Sequence, residues 1–349
     1  MRKTKKSLYN LETIKSELLN TPINKLGLKI EGSILEQAID EVYKEIEENE
    51  IILRPNFYLS DSYGCCEGTA NIGLAFWDAN EILREIVYEV KKKKRSYDQL
   101  LNLIRHEFGH AFCYSYKLYR ENDFRELFEV EGNFFRTYPD HNNYKPNPWS
   151  RNYVNPDGDY YAQKHPDDDF AETFAVYLNK NEDWRSIYKN RKGALRKIFF
   201  VKSVIRKYGK LEPFVLNNPH ELHIPISELD MTVADFLKCS KRKYLKNASG
   251  FVDFDLKKIF KKNHKKYKSK YKFAVELIKE NKQALIKKFI GLYNLKSKYI
   301  ISDLIEKIEN RLNILELVFK KVDEDNKLLD LTMYISKLVN NYLLTESYL

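Results

Sequence analysis

The segment Arg105-His106-Glu107-Phe108-Gly109-His110 constrains this chain more than any other, because it reads H-E-x-x-H. Residues four apart share one face of an α-helix, so His106 and His110 can aim two imidazoles at one zinc ion only if the segment is helical. Glu107 then falls at the edge of that site, placed to take a proton from a water at the metal. The flanking sequence supplies the helix. Ser96, with Gln99 three residues on, forms a capping-box pattern. Leu100, Leu101, Leu103, Ile104, Phe108, Ala111 and Phe112 then recur at helical spacing, which predicts a helix over about Tyr97 to Tyr119. Histidine is scarce, 7 in 349 residues, so a pair at this spacing enclosing a glutamate is hard to ascribe to chance. The pattern points to a zinc-dependent hydrolase, first of all a peptidase.

A catalytic zinc needs a third protein ligand and an open position for water. Where one class of zinc proteases carries a glycine and a third histidine, this chain has Cys113 and Tyr116, which excludes that class. A glutamate from a later helix is the other common solution. The run His165-Pro166-Asp167-Asp168-Asp169-Phe170-Ala171-Glu172-Thr173-Phe174-Ala175 offers Glu172. Pro166 suits a first helical position, and the three aspartates suit the positive end of the helix dipole. Ala171 and Ala175 beside Glu172 would let two helices approach closely enough to share a metal, while Phe170, Phe174 and Tyr177 would bury the helix. Glu172 is therefore the expected third ligand. An oxyanion donor is also required. Tyr161 is the first choice, since a phenol stays protonated at neutral pH, and His165 is the second, with helix capping as its ordinary role. Asp168, and less directly Asp169, are expected to hold a ligating imidazole by its other nitrogen.

These residues carry a resemblance. Leu59-Ser60-Asp61, Ile72-Gly73-Leu74-Ala75-Phe76, Arg105 to Ala111, Ser150-Arg151-Asn152-Tyr153-Val154 and Tyr161 to Ala175 resemble the putative zinc-binding metallopeptidase family, a bacterial group within the zincin class. The likeness runs from about Pro22 to Tyr208 and weakens towards about Phe260, where Met231-Thr232-Val233-Ala234-Asp235-Phe236 still fits. It implies an α+β fold with a zincin-like core: a small mixed sheet and active-site helices. It also implies zinc on His106, His110 and Glu172, with Glu107 as general base. Many members begin with a zinc ribbon of paired C-x-x-C motifs, and this sequence contains no C-x-x-C.

The remaining pattern sets the frame. Residues 1–215 are expected to form the metallopeptidase domain and 216–349 a mainly helical C-terminal region, the change falling near Asn217-Asn218-Pro219. Ile72 to Phe76 alternates as a strand just before the metal helix, where zincins commonly place the sheet edge that an extended peptide joins. Residues 120–160 lack periodicity, and so long a connection between the two metal helices suits a wall of the cleft. The net charge of +10 is spread along the chain. Lys91 to Arg95 reads as a solvated turn, and the nine lysines of residues 257–272 read as one face of an ordinary helix whose apolar side holds Ile259, Phe260, Tyr267 and Tyr271. A protein or peptide substrate is thus expected, with nucleic acid compatible but less favoured. Four cysteines are too few for a disulfide scaffold. No apolar run behind the basic N-terminus makes a signal sequence, and none is long enough to span a membrane, which reads as cytoplasmic; leaderless export is compatible with the same pattern. Two alternatives stand beside the peptidase: a catalytically silent zinc-binding protein, and a nucleic-acid-associated protein with a peptidase domain.

Overall fold

A computed structural model describes residues 11–92, 95–139, 144–215, 221–241, 243–244, 250–263, 270–293 and 297–345. It is a mixture of helices and two small sheets, an α+β arrangement. In chain order come α1 (Leu11–Asn20), α2 (Ile34–Glu48), β1 (Asn56–Ser60), β2 (Gly64–Cys65) and β3 (Asn71–Ala75). Helices α3 (Glu81–Lys91), α4 (Tyr97–Ser115), α5 (Asn122–Leu127), α6 (Pro166–Leu178), α7 (Trp184–Ile187), α8 (Lys192–Tyr208) and α9 (Val233–Phe236) follow. Then come α10 (Asp253–Ile259), β4 (Lys261–Lys262), β5 (Tyr271–Phe273), α11 (Ala274–Leu292), α12 (Ser297–Leu315), β6 (Leu317–Lys320) and α13 (Glu324–Thr345).

The chain divides into two compact units, Pro22–Met231 and the union of Met1–Thr21 with Thr232–Leu349. These bounds differ from the expected change at 215/216 at both ends. Residues 221–231 return to the sheet of the first unit: Asn71 Nδ2 donates to the Glu221 carbonyl at 3.0 Å and Ser60 Oγ to that of Ile224 at 2.9 Å. Pro225 bridges Ser60, and the Ile23 amide donates to the Met231 carbonyl at 3.0 Å. The composition changes after Gly209, but these backbone partners carry the unit further. Helix α1 joins α9, the Val233 amide donating to the Thr21 carbonyl at 3.2 Å. Asn217-Asn218-Pro219, expected as linker, lies outside the described residues.

In the first unit β3 is the central strand, parallel to β1 and antiparallel to β2. The expectation that Ile72 to Phe76 offers a free edge is therefore corrected: Cys65 pairs with Ile72 and Gly64 with Gly73 on one side, and β1 occupies the other. All five residues of β3 are buried, which fits a central strand covered on both faces. The short β2 comes from a stretch whose glycines and paired cysteines look like loop. Helix α4 begins with the expected capping box, Ser96 Oγ accepting from the Gln99 amide and Gln99 Oε1 from the Ser96 amide. It ends at Ser115, short of Tyr119, where Lys117 takes a left-handed conformation. Helices α2, α4, α6 and α8 share one core with the sheet, including Ile46, Ile72, Ile104, Phe108, Phe174 and Val201. Arg105, on the inward side of α4, makes a buried fork to Glu45 of α2 (2.7 and 2.6 Å). Paired and hydrogen-bonded, the two charges are tolerated inside, and each depends on the other.

In the second unit α11, α12 and α13 close around a separate core that includes Leu277, Phe289, Ile305, Leu331 and Ile335. A buried Arg311–Asp253 fork (2.9 and 2.7 Å) ties α12 to α10. The lysine-rich stretch departs from the helix expected of it. Helix α10 stops at Ile259, Lys261 and Lys262 pair with Val318 and Leu317, and Tyr271 to Phe273 pair with β6 on its other side. The apolar side chains of Leu317, Val318 and Phe319 bury β6, and its backbone groups are satisfied by both lysine-bearing neighbours. Tyr267 lies outside the described residues.

Candidate metal centre

Helices α4 and α6 cross at their smallest side chains. A Cβ added to Gly109 would stand 2.9 Å from the Ala171 Cα and 3.1 Å from the Phe174 Cβ, so only glycine allows this approach. The contact brings the histidine face of α4 against the first turns of α6. His106 and His110 turn their Nε2 atoms towards each other at 3.0 Å. Asp168 Oδ1 lies 3.8 Å from His106 Nε2 and 3.7 Å from His110 Nε2. All three residues are buried, and Asp168 Oδ2 has no hydrogen bond among the described residues.

The geometry fits a metal ion. Three donors on one tetrahedral zinc at about 2.1 Å stand about 3.4 Å apart, which brackets the separations found. The other Asp168 oxygen, Oδ2, has Lys164 Nζ 3.6 Å away, which leaves Oδ1 facing the two imidazoles. Glu172 stands at the other ring nitrogen of His106. Its Oε1 lies 2.7 Å from His106 Nδ1, the ring nitrogen facing away from His110. The sequence places Asp168 behind an imidazole and Glu172 at the metal; here Asp168 Oδ1 faces both Nε2 atoms and Glu172 Oε1 faces His106 Nδ1. The reason is the helical repeat: residues four apart on α6 share a face, but Asp168 sits one turn nearer the His106–His110 gap.

His106 Nδ1 makes no hydrogen bond among the described residues, whereas His110 is held by one at its own Nδ1. Asp167 Oδ1 is 2.8 Å from His110 Nδ1, and Asp167 Oδ2 accepts from Tyr138 Oη at 2.6 Å and from Tyr114 Oη. Burial pulls the His110 imidazole down, but the Asp167 carboxylate overrides it and lifts it to about 9. His106 is likewise raised against burial by Glu172. Burial raises the Asp168 carboxyl, opposed by the two histidines and Lys164. Asp169 turns to the far side of the helix and meets Lys197 at 2.5 Å in a buried pair, burial pushing its carboxyl to about 7.

Three consecutive aspartates thus radiate in three directions: Asp167 to a histidine, Asp168 to the metal gap, Asp169 to the core. At about 100° per residue a helix can do nothing else with them. Asp167 and Tyr138 escaped the sequence reading. The acidic triplet at a helix start explains itself by the dipole alone, and Tyr138 sits in an aperiodic stretch. The signal available was the number of adjacent carboxylates, more than one helix face can use.

Glu107 and His106 line a cleft of about 630 Å³, together with Tyr161 and Glu172. Its wall includes Pro156, Asp157 and Asp159, from the end of the connection between α4 and α6, as expected of that stretch. Burial raises the Glu107 carboxyl, with the neighbouring histidines opposing. Tyr161 packs its ring 5.6 Å from that of His106, and its hydroxyl accepts from Lys164 Nζ at 2.8 Å. Burial, then the carboxylates of Asp168, Glu107 and Glu172, hold the Tyr161 phenol protonated far above neutral pH.

His165 is not in the cleft, which corrects its candidacy as an oxyanion donor. Its Nδ1 accepts from the Asp167 amide at 3.1 Å as the N-cap of α6, and its Nε2 meets Thr137 Oγ1 at 2.9 Å. Its ring stacks on Tyr138 with centroids 3.7 Å apart. Burial pulls the imidazole down to about 4, so it is a neutral structural group.

Residues 5–195 match the family described as "Putative zinc-binding metallo-peptidase". The chain belongs to this family. No curated protein and no solved structure matches it. The family's description as zinc-binding agrees with a His106–His110–Asp168 cluster whose ligand atoms lie within 4.8 Å of one another. Among the described residues no helix is long and apolar enough to cross a membrane.

Proposed function

We propose that this protein is a zinc-dependent peptidase with a zincin-like core, and that His106, His110 and Asp168 hold the zinc. The observation that carries the proposal is the convergence of two buried imidazole Nε2 atoms and the Asp168 carboxylate, with His106 and Glu107 lining a cleft beside them. When bound, zinc supplies Lewis-acid polarisation of a carbonyl and lowers the pKa of a water. Glu107 accepts the proton of the attacking water at its carboxylate and delivers it to the leaving amine. Asp167 holds the His110 imidazole through a hydrogen bond at Nδ1, and the Glu172 carboxylate stands 2.7 Å from His106 Nδ1, which favours both Nε2 atoms facing the gap between them. Tyr161, held by Lys164, presents a phenol that remains protonated and can donate to the developing oxyanion. The cleft is open enough for an extended protein or peptide segment.

The deciding experiment pairs metal analysis with turnover. Wild type is expected to carry one zinc per chain and to cleave peptides from a denatured proteome digest. Glu107→Gln is expected to carry the same zinc and cleave none above background. Equal cleavage by both proteins, or a wild type that takes up no zinc, removes the reading.

A further inference from the structure

We propose that the end of the cleft remote from the histidines is a carboxylate-binding subsite, built by Arg95 and Arg84 around Asp78, which selects peptides bearing a carboxylate about three residues from the scissile bond. This rests on the peptidase reading above and adds a substrate class to it.

The floor of the cleft is one face of α4, with Gln99, Asn102, Leu103 and His106 on successive turns. Seven residues of helix at about 1.5 Å each separate Gln99 from His106 by about 10 Å. An extended peptide covers that distance in about three residues. At the far end stands Asp78, 5% exposed, on the short turn after β3. Its Oδ1 accepts from Arg84 Nε at 2.8 Å and its Oδ2 from Tyr63 Oη at 2.6 Å. Arg95 Nη1 comes only to 3.9 Å from the same Oδ2. Arg84 also donates through Nη2 to the Arg95 carbonyl at 3.3 Å.

Two guanidiniums therefore share one buried carboxylate at this end of the cleft. Arg84 is the structural partner. The Arg95 guanidinium lies 5.1 Å over the Tyr63 ring and makes no hydrogen bond among the described residues, though it lines the cleft with its side chain only 33% exposed. A planar fork held over an aromatic ring, about two thirds out of water and with unused N–H groups, suits bidentate recognition of a carboxylate. Lys91 lines the cleft too, its Nζ 5.0 Å from the Trp77 ring centroid, and adds to the positive potential. The carboxylates Asp157 and Asp159 also line the cleft; burial raises the Asp157 carboxyl and Arg95 is among the groups that oppose the rise, so an incoming anion competes with Asp157 for this guanidinium. Neutralising Asp78 accounts for Arg84, whereas Arg95, 3.9 Å from Asp78 and within electrostatic range of Asp157, keeps N–H groups that no hydrogen bond among the described residues uses.

The test reads binding separately from turnover. Fluorescein-labelled octapeptides of alanine and glutamine, each with one glutamate walked along the sequence, are titrated into full-length, zinc-loaded Glu107→Gln protein. At one register the glutamate peptide is expected to bind about tenfold tighter than its glutamine analogue, the effect of one charge-assisted hydrogen-bonded contact. The advantage should shrink at high salt. Adding Arg95→Gln, which breaks no hydrogen bond of the fold, should reduce it to within about twofold. Glutamate peptides that bind no better at any register, or an advantage that survives Arg95→Gln, overturn the proposal. Free-acid and amidated all-neutral peptides separate a terminal carboxylate from a side-chain one. Cleavage by wild type without a glutamate preference sinks the subsite alone. A glutamate preference in binding with no cleavage by wild type sinks the peptidase and leaves the subsite.

Discussion

At the scale of single residues, the distinction that matters is which nitrogen of each histidine a carboxylate faces. Asp168 lies in front of both Nε2 atoms and Glu172 behind one Nδ1, so their variants should differ in kind. His106→Ala, His110→Ala and Asp168→Ala are each expected to abolish tight zinc binding, read as metal content after dialysis. Glu172→Gln should keep zinc with affinity lowered about 10–100-fold, the usual loss for a carboxylate behind an imidazole. A metal-free Glu172→Gln beside a fully loaded Asp168→Ala would restore Glu172 as the ligand. Rate should separate the cleft groups from the cap. Glu107→Gln is expected to lose about 10²–10⁴ in kcat with zinc retained, and Tyr161→Phe to lose less, since zinc carries most of the oxyanion charge. His165→Ala should cost about 0.5–2 kcal/mol of stability as a lost N-cap, with a smaller change in kcat than Tyr161→Phe; a larger one returns His165 to the oxyanion role. Most of this site was legible: a histidine pair at i, i+4 admits only a helix, and Glu107 follows from it. What escaped was which of two carboxylates one turn apart faces the Nε2 atoms of the histidine pair. That depends on how far α6 slides along α4, and no periodicity in either segment encodes the slide.

At the scale of elements, the site exists because α4 and α6 touch at backbone distance, and the capping box, Pro166 and the aspartates that start these helices were all readable in advance. The contact residue was not, since Gly109 looks like a mild helix weakener until Ala171 is seen above it. Gly109→Ala is a sharp test. In an isolated helix it would stabilise by about 1 kcal/mol. Here the new Cβ meets backbone and must push the helices apart, an overpacking cost of about 1–3 kcal/mol. The variant should melt earlier and bind zinc more weakly, because Asp167, Asp168 and Glu172 all retreat from α4 together; a variant with raised Tm and unchanged zinc affinity would show that the close approach does not set the site. The sheet was harder to read. Alternation identified Ile72 to Ala75 as a strand, but strand order comes from long-range pairing, and the two-residue β2 that covers β3 leaves no pattern of its own. The lysine-rich stretch failed for a related reason: helical spacing of Ile259, Phe260 and Tyr271 was real, but pairing with the buried β6 prevailed over it.

At the scale of the whole molecule, each compact unit has its own core and its own buried guanidinium–carboxylate fork, Arg105–Glu45 in one and Arg311–Asp253 in the other. Among the described residues, the candidate metal-binding group lies in the first. Removing one partner of such a fork strands a buried charge, at a cost of about 3–5 kcal/mol. Glu45→Ala and Asp253→Ala should therefore lower different calorimetric transitions. Zinc gives an independent handle. An ion bound only by the folded first unit stabilises it by RT ln(1 + [Zn]/Kd), about 4 kcal/mol at a thousandfold excess over Kd. Adding a chelator should lower one transition by several degrees and leave the other in place, and it should be the transition that Glu45→Ala lowers. If chelation and Asp253→Ala instead shift a single shared transition, the two units unfold as one, and the second is energetically part of the metal domain.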